Sequence, residues 1–260
     1  MLLGVNIDHI AVLREARRVA DPSLIDALGI VKRAGGNQIT IHLREDRRHI
    51  QDSDARDIIQ LSPLPVNLEC AIAPQIIDIV CTLTPHRATI VPEKREEVTT
   101  EGGLSVIGKS SDLSSAIQRL QSHQIEVSLF IDPCSQSLRA SKELGVEWVE
   151  FHTGKYANIY AMLYGNLSKT DHTIPQLNLP RATLKKMLNE ELVLLQELSQ
   201  EAKSLGIKVA AGHGLNYQNV QAIASIEAIE ELNIGQSIIA RSIYTGLQEA
   251  VEQMHRCIQS

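Results

Sequence analysis

The chain of 260 residues is 43% hydrophobic, 22% charged and only 3% aromatic, an ordinary globular balance whose core must come from Ile, Leu, Val and Ala. With 25 Lys and Arg against 31 Asp and Glu, a net charge of −6 and no basic block, it offers little to nucleic acid. No apolar run approaches the roughly 18 residues of a membrane span, so neither nucleic acid nor membrane is an expected partner.

The N-terminus, Met-Leu-Leu-Gly-Val-Asn-Ile-Asp, lacks a basic start and meets an acid early, unlike a signal peptide, which predicts a cytoplasmic protein. Leu2 to Ile7 is a first strand, and Asp21-Pro22 opens a helix that stops at Gly35-Gly36. Gln38 to Leu43 is the second strand. A short helix near Asp54 to Leu61 leads to a third strand at Val66 to Cys70 and a helix entered at Pro74. Arg87 to Val91 is the fourth. Lys94 to Thr100, closed by Gly102-Gly103, is polar and glycine-hinged and reads as a lid. A helix from Asp112 precedes strand five, Glu126 to Ile131, and Ser135 to Leu144, closed by Gly145, precedes strand six, Glu147 to His152. The stretch 153–180 is rich in Gly, Asn and Pro and reads as an inserted loop or small helices. A long amphipathic helix reaches Leu205. Lys208 to Ala211 and Ile229 to Ile234 are strands seven and eight, with helices from Tyr217 to Ser225 and from Ser237 to near the end.

Eight strands, each followed by a helix, at about 30 residues per unit, favour a closed (β/α)8 TIM barrel of the α/β class with additional helices over an open sheet. No linker divides it, so residues 1–260 are expected to form one domain. Cys70, Cys81, Cys134 and Cys257 are scattered without a Cys-x-x-Cys pair and are expected to be buried free thiols.

Barrels of this kind carry their chemistry at the carboxyl ends of the strands. There stand Asn6, Asp8 and His9; His42 and Arg44; Glu69; Pro92-Glu93-Lys94-Arg95; Asp132; Glu150 and His152; Gly212-His213-Gly214; and Gly235. Any one of them could be a structural group, but a ring of ionisable side chains closing apolar strands implies a polar mouth. Alternation puts Glu69 on the same strand face as Asn67, which suits a polar interior and leaves it either a general base or half of an ion pair. His42 to His49 packs seven ionisable groups into eight residues, and its attachment to a strand end favours oxyanion binding by Arg44 and His49 over a merely solvated loop. Gly212-His213-Gly214 and Gly235 lie where barrels bind phosphate.

The segments Asn6-Ile7-Asp8-His9, His42 to His49, Asn67-Leu68-Glu69, Val91 to Gly103, Glu150 to Gly154, Ala211 to Leu215 and Glu231 to Gly235 together resemble the pyridoxine 5′-phosphate synthase family, from the first strand to the last. The resemblance implies a barrel with added helices that condenses 1-deoxy-D-xylulose 5-phosphate with 3-amino-1-hydroxyacetone 1-phosphate, releasing pyridoxine 5′-phosphate, phosphate and water. It implies no metal, no organic cofactor and a homo-oligomer, an octamer in the family. It makes His42 and Glu69 proton acceptors, His213 the proton donor and Glu150 a stabiliser of charge. Asn6, Arg17, Gly214, Gly235 and Gln236 would hold the amino-ketone phosphate, and Asp8, His9, Arg44, His49 and Thr99 the sugar phosphate. Two departures stand out: Gln236 replaces a His common in the family, and the stretch from Tyr156 to Pro180 is longer than the usual connection.

Two other readings remain on the residues alone. A sugar-phosphate aldolase or isomerase would use the same barrel, but a Schiff-base aldolase wants an interior lysine, and strand six has none. A phosphate-sensing barrel would bind without turnover.

Overall fold

The computed structural model describes residues 1–93, 102–108 and 111–259. Eight parallel strands close into a barrel in sequence order: β1 (Leu2–Asn6), β2 (Gln38–His42), β3 (Val66–Cys70), β4 (Arg87–Ile90), β5 (Glu126–Ile131), β6 (Trp148–His152), β7 (Lys208–Gly212) and β8 (Glu231–Ile234). The seam is β8 on β1, with Leu2 opposite Glu231 and Gly4 opposite Asn233.

Period-2 alternation splits each strand between two environments. Outward residues such as Leu3, Val5, Ile39, Ile41, Leu68, Leu129, Val149 and Val209 are wholly buried beneath the helices, each stabilising the fold by about 1.5–3 kcal/mol relative to exposure. Most inward residues are polar, with Phe130, Trp148 and Ala210 as apolar exceptions. At the foot of the barrel Arg87 bonds Glu231 at 2.8 Å, Gln38 Nε2 donates to the same carboxylate oxygen at 2.9 Å, and the Arg87 guanidinium lies 3.7 Å from the Trp148 ring centre. One layer higher, the Thr40 hydroxyl donates to Asn233 Oδ1 at 3.1 Å and the Thr89 hydroxyl to Asn67 Oδ1 at 2.8 Å. Gly4 is required here, because a Cβ would collide with Asn233 Oδ1.

The helices are α1 (Asp8–Glu15), α2 (Leu24–Arg33), α3 (Asp52–Leu61), α4 (Pro74–Leu83), α5 (Ser111–Ser122), α6 (Ser135–Leu144), α7 (Gly154–Tyr164), α8 (Arg181–Ser204), α9 (Val220–Ala224), α10 (Gln236–Thr245) and α11 (Leu247–Gln259). Three features differ from the sequence expectation, and in a fourth, 153–180, the structure has small helices, one of the two forms expected. Helix α1 begins directly after β1, placing Asp8 and His9 in its first turn rather than in a strand end. Helix α2 is capped by Ser23, whose hydroxyl accepts from the Asp26 amide at 3.3 Å, and not by Asp21-Pro22. The single terminal helix is broken at Gly246, whose φ of +80° suits glycine, giving α10 and α11. The stretch 153–180 carries α7 and two 3-10 turns, Leu167–Lys169 and Pro175–Leu177; Ile159, Met162 and Leu163 of α7 pack with Leu184 of α8 in a small second core.

None of the four cysteines is in a disulfide; Cys70 and Cys81 are buried, but Cys134 and Cys257 only half-buried. Among the described residues no helix is long and apolar enough to cross a membrane.

Candidate active site

The carboxyl ends of β1 to β3 converge on His42. Asp8 anchors the group: Asn6 Nδ2 donates to its Oδ2, its own amide donates to Asn6 Oδ1, and the His42 amide donates to its Oδ1, each at 2.9 Å. The His42 ring stands between two carboxylates, with Nε2 2.9 Å from Glu93 Oε1 and Nδ1 3.8 Å from Glu69 Oε2. Glu93 also accepts from the Glu45 amide at 3.0 Å, so it ties the end of β4 to the loop after β2. Burial pushes the Glu93 carboxyl up, but the His42 hydrogen bond and charge, the Glu45 amide and the Arg44 charge outweigh it and hold it below the ordinary carboxylate value.

Glu69 lies in the opposite regime. Burial, reinforced by the like charges of Glu150 and Asp8, pushes its carboxyl well above the ordinary range. A carboxylate that is costly to ionise and within reach of an imidazole is a proton acceptor in waiting. Arg44 and His49 are buried on the same side, with Arg44 Nε 3.4 Å from Asp46 Oδ1. His49 Nδ1 accepts from the Ile50 amide at 2.9 Å, so the neutral ring keeps its proton on Nε2 and offers a donor. Burial lowers the His49 and His9 values, against the Asp8 charge in both cases.

Glu150 sits deeper, 3% exposed, and accepts from Asn233 Nδ2 at 2.8 Å. Gly212 faces it with no side chain, since a Cβ there would strike Glu150 Oε1. Burial first, then the charge of Glu231, lifts the Glu150 carboxyl to about 7 despite Asn233 and Arg87. In an unfolded chain a Glu releases its proton near 4.5. Between those values the native state binds more protons than the unfolded one, so stability falls as pH rises through the window. Glu150→Gln removes that loss. Its stability is expected to exceed the wild type's by a margin that grows from about pH 5 to about pH 8, reaching about 1–3 kcal/mol, while product formation drops. Thermal scans across that range would show equal slopes if the carboxylate were unstrained.

Across the mouth, His213 has a φ of +79°, a left-handed conformation uncommon for non-glycine residues. The Thr153 hydroxyl lies 2.7 Å from the carbonyl oxygens of both Gly212 and His213, and Asn219 Nδ2 donates to the Gly214 carbonyl at 3.1 Å, so the turn is held from both flanks. Gly214 has a φ of +80°, and a Cβ on it would meet Ala157 of α7 at 2.6 Å. Burial, with the neighbouring His152, lowers His213 to about 4, so its imidazole is neutral when the pocket is empty. Gly235 lets the end of β8 come against Asn6, whose Cβ would lie 2.8 Å from an added Cβ.

Asn6, Asp8, His42, Arg44, His49 and Glu69 are thus brought together by hydrogen bonds, ion pairs and burial on one side of the mouth, with Glu150 beneath and His213 opposite. Gln236 is exposed at the start of α10, and Arg17 is exposed just beyond α1, where its amide bonds the Arg14 carbonyl at 3.2 Å. Thr99 and the lid expected over Lys94 to Thr100 lie outside the described residues. Glu93, Asn233, Asp132 and His152 were not among the expected site residues, although all but Asn233 were read as strand-end groups. Their partners lie 20 to 83 positions away in sequence, so strand pattern alone could not pair them.

A family profile described as pyridoxal phosphate biosynthesis protein PdxJ matches residues 3–260. The chain is 72% identical over 254 residues to the pyridoxine 5′-phosphate synthase of Sulfurovum sp. (strain NBC37-1), covering 98% of each chain. It is 60% identical over 260 residues to that of Aliarcobacter butzleri (strain RM4018), covering 100% of both. Among solved structures it is similar to a monomeric form of phosphoribosylanthranilate isomerase from Thermotoga maritima, with a TM-score of 0.58 and 10% identity over 100% of this chain and 99% of that one. That likeness concerns the barrel alone. The whole-length family match and the close relatives place this chain in the pyridoxal phosphate biosynthesis protein PdxJ family.

Proposed function

We propose that the mouth closes a pyridine ring, joining 1-deoxy-D-xylulose 5-phosphate to 3-amino-1-hydroxyacetone 1-phosphate to give pyridoxine 5′-phosphate, phosphate and water, the product for which the relatives are named. The observation that carries this reading is His42 held between Glu93 at 2.9 Å and Glu69 at 3.8 Å, facing a neutral His213 across the barrel. Imine formation, dehydration and carbon–carbon closure each move a proton at a defined face, and a set of groups with values driven apart by burial can both take and give them.

In this reading His42 and Glu69 accept protons, His213 donates one and Glu150 stabilises charge beneath the ring. Asn6, Arg17, Gly214, Gly235 and Gln236 hold the amino-ketone phosphate; Asp8, His9, Arg44, His49 and Thr99 hold the sugar phosphate. Gln236 donates a hydrogen bond without charge. The enzyme works in the cytoplasm as a single domain spanning 1–260, with 153–180 as an inserted segment, assembled into a homo-oligomer of eight copies. Against a Schiff-base aldolase, β6 carries no lysine, and Lys208 stands at the start of β7, 5.0 Å from the Trp148 ring centre and 3.4 Å from Glu126.

Incubating the purified protein with both substrates and following the pyridine absorbance tests the reading; binding without product sinks it. Arg44→Lys keeps the charge but loses the planar fork. Its KM for the deoxyxylulose phosphate is expected to rise by about 10-fold or more, with that for the amino-ketone phosphate changing much less. Equal weakening would undo the assignment of separate phosphate sites.

A further inference from the structure

His152, at the end of β6, is 8% exposed and belongs to no step described so far. Its Nδ1 lies 3.0 Å from Asp132 Oδ1, just past the end of β5, and the same oxygen accepts from the Gly103 amide at 3.0 Å. Gly103 makes that approach possible, because a Cβ on it would fall on the Asp132 backbone. With a carboxylate on Nδ1, the neutral ring carries its proton there and leaves Nε2 as a lone pair. That Nε2 is buried and has no hydrogen-bond partner among the described residues.

The unmet nitrogen points at one place. A Cβ built on Gly154 would strike His152 Nε2 and come within 3.2 Å of His213 Cδ2, so the two ring edges converge over a bare α-carbon. Their ring centres are 4.8 Å apart in a T-shaped arrangement, and Phe130 backs both, at 5.2 Å from His152 and 6.5 Å from His213. A ring needed only for packing could be another Phe. Instead one nitrogen is tied to a carboxylate and the other is buried without a partner among the described residues, a cost that packing alone does not require.

We propose that Asp132 and His152 are positioning residues for proton transfer at His213: Asp132 fixes the Nδ1–H form of His152, whose free Nε2 holds the electropositive edge of the His213 ring and keeps that imidazole turned into the pocket. This rests on His213 being the proton donor. The carboxylate, the oriented ring and the transferring ring then form a line from the rim to the reacting centre, and no atom of Asp132 or His152 needs to touch substrate.

Two variants test it. Asp132→Asn is isosteric and its Oδ1 can still accept from the Gly103 amide, but it loses the carboxylate charge that holds the His152 proton on Nδ1. His152→Phe keeps the ring and its packing and removes both nitrogens. Both are expected to lower kcat by about 10- to 100-fold, with the KM and the calorimetric affinity for the amino-ketone phosphate within about 3-fold of wild type and the melting temperature unchanged. Turnover within about 2-fold of wild type in either variant would overturn the inference, leaving the synthase reading intact. Joint loss of turnover, binding and thermal stability would overturn it too, by showing a packing role. A wild-type enzyme that forms no pyridine product from the two substrates would remove both.

Discussion

Glu69→Gln is expected to lower turnover by about 10²- to 10⁴-fold with substrate binding largely kept. The substitution preserves shape and hydrogen bonding at the end of β3 while removing the only atom type that can take a proton there. Glu69 is suited to the task because its neighbours make its charge costly: burial first, then Glu150 and Asp8, push its carboxyl up, while His42 Nδ1 at 3.8 Å offers a partner once a proton moves. A base raised in this way must still be ionised to act. Activity in the wild type should therefore fall as pH drops through a value above that of an ordinary carboxylate, and the Gln variant should lose that limb along with its rate. Stopped-time product assays across pH would decide, and near-normal turnover in the variant would leave Glu69 a structural ion-pair partner.

The site was readable from the sequence to the extent that it depends on strand ends. Asn6 and His42 end β1 and β2, Glu69 stands next to the end of β3 and Glu150 two residues before the end of β6, and a barrel turns that linear fact into a shared mouth. What could not be read is whatever depends on which side chains meet across the barrel. His42 on β2 pairs with Glu93 beyond β4, skipping β3, and Glu150 on β6 pairs with Asn233 on β8, skipping β7. No periodicity reports such contacts. Helix α7 was obscure for a different reason: it opens on Gly154 without a capping side chain, and Tyr156, Ala157, Ile159, Met162 and Leu163 bury it on more than one side. A helix enclosed in this way lacks the single apolar stripe by which helices announce themselves. Yet α7 explains Gly214, which gives Ala157 room, and through Tyr156, whose hydroxyl donates to the Asn219 carbonyl at 2.8 Å, it braces the turn that carries His213.

His213→Asn is expected to leave a folded protein that still binds the amino-ketone phosphate but forms product about 10²-fold or more slowly, with a condensed intermediate accumulating. The backbone makes this a clean substitution. At a φ of +79° most side chains are strained, but Asn is among the few that adopt this region readily, and the Thr153 contacts that hold the turn reach main-chain oxygens and survive the change. What Asn cannot do is carry a proton to a leaving oxygen. In the empty pocket His213 is neutral, held down to about 4 by burial and by His152, so an acid must be made when substrate arrives. A phosphate dianion settling near the Gly214 turn supplies the opposite charge that favours the imidazolium. The pH dependence of kcat should therefore show a donor with a higher value than kcat/KM does, since the first reports the occupied site and the second the free enzyme. Calorimetry with the amino-ketone phosphate and a single-turnover product assay separate the outcomes. Bound ligand with unimpaired product formation would remove His213 from the chemistry, and lost binding together with lost folding would reduce it to a shaper of the turn.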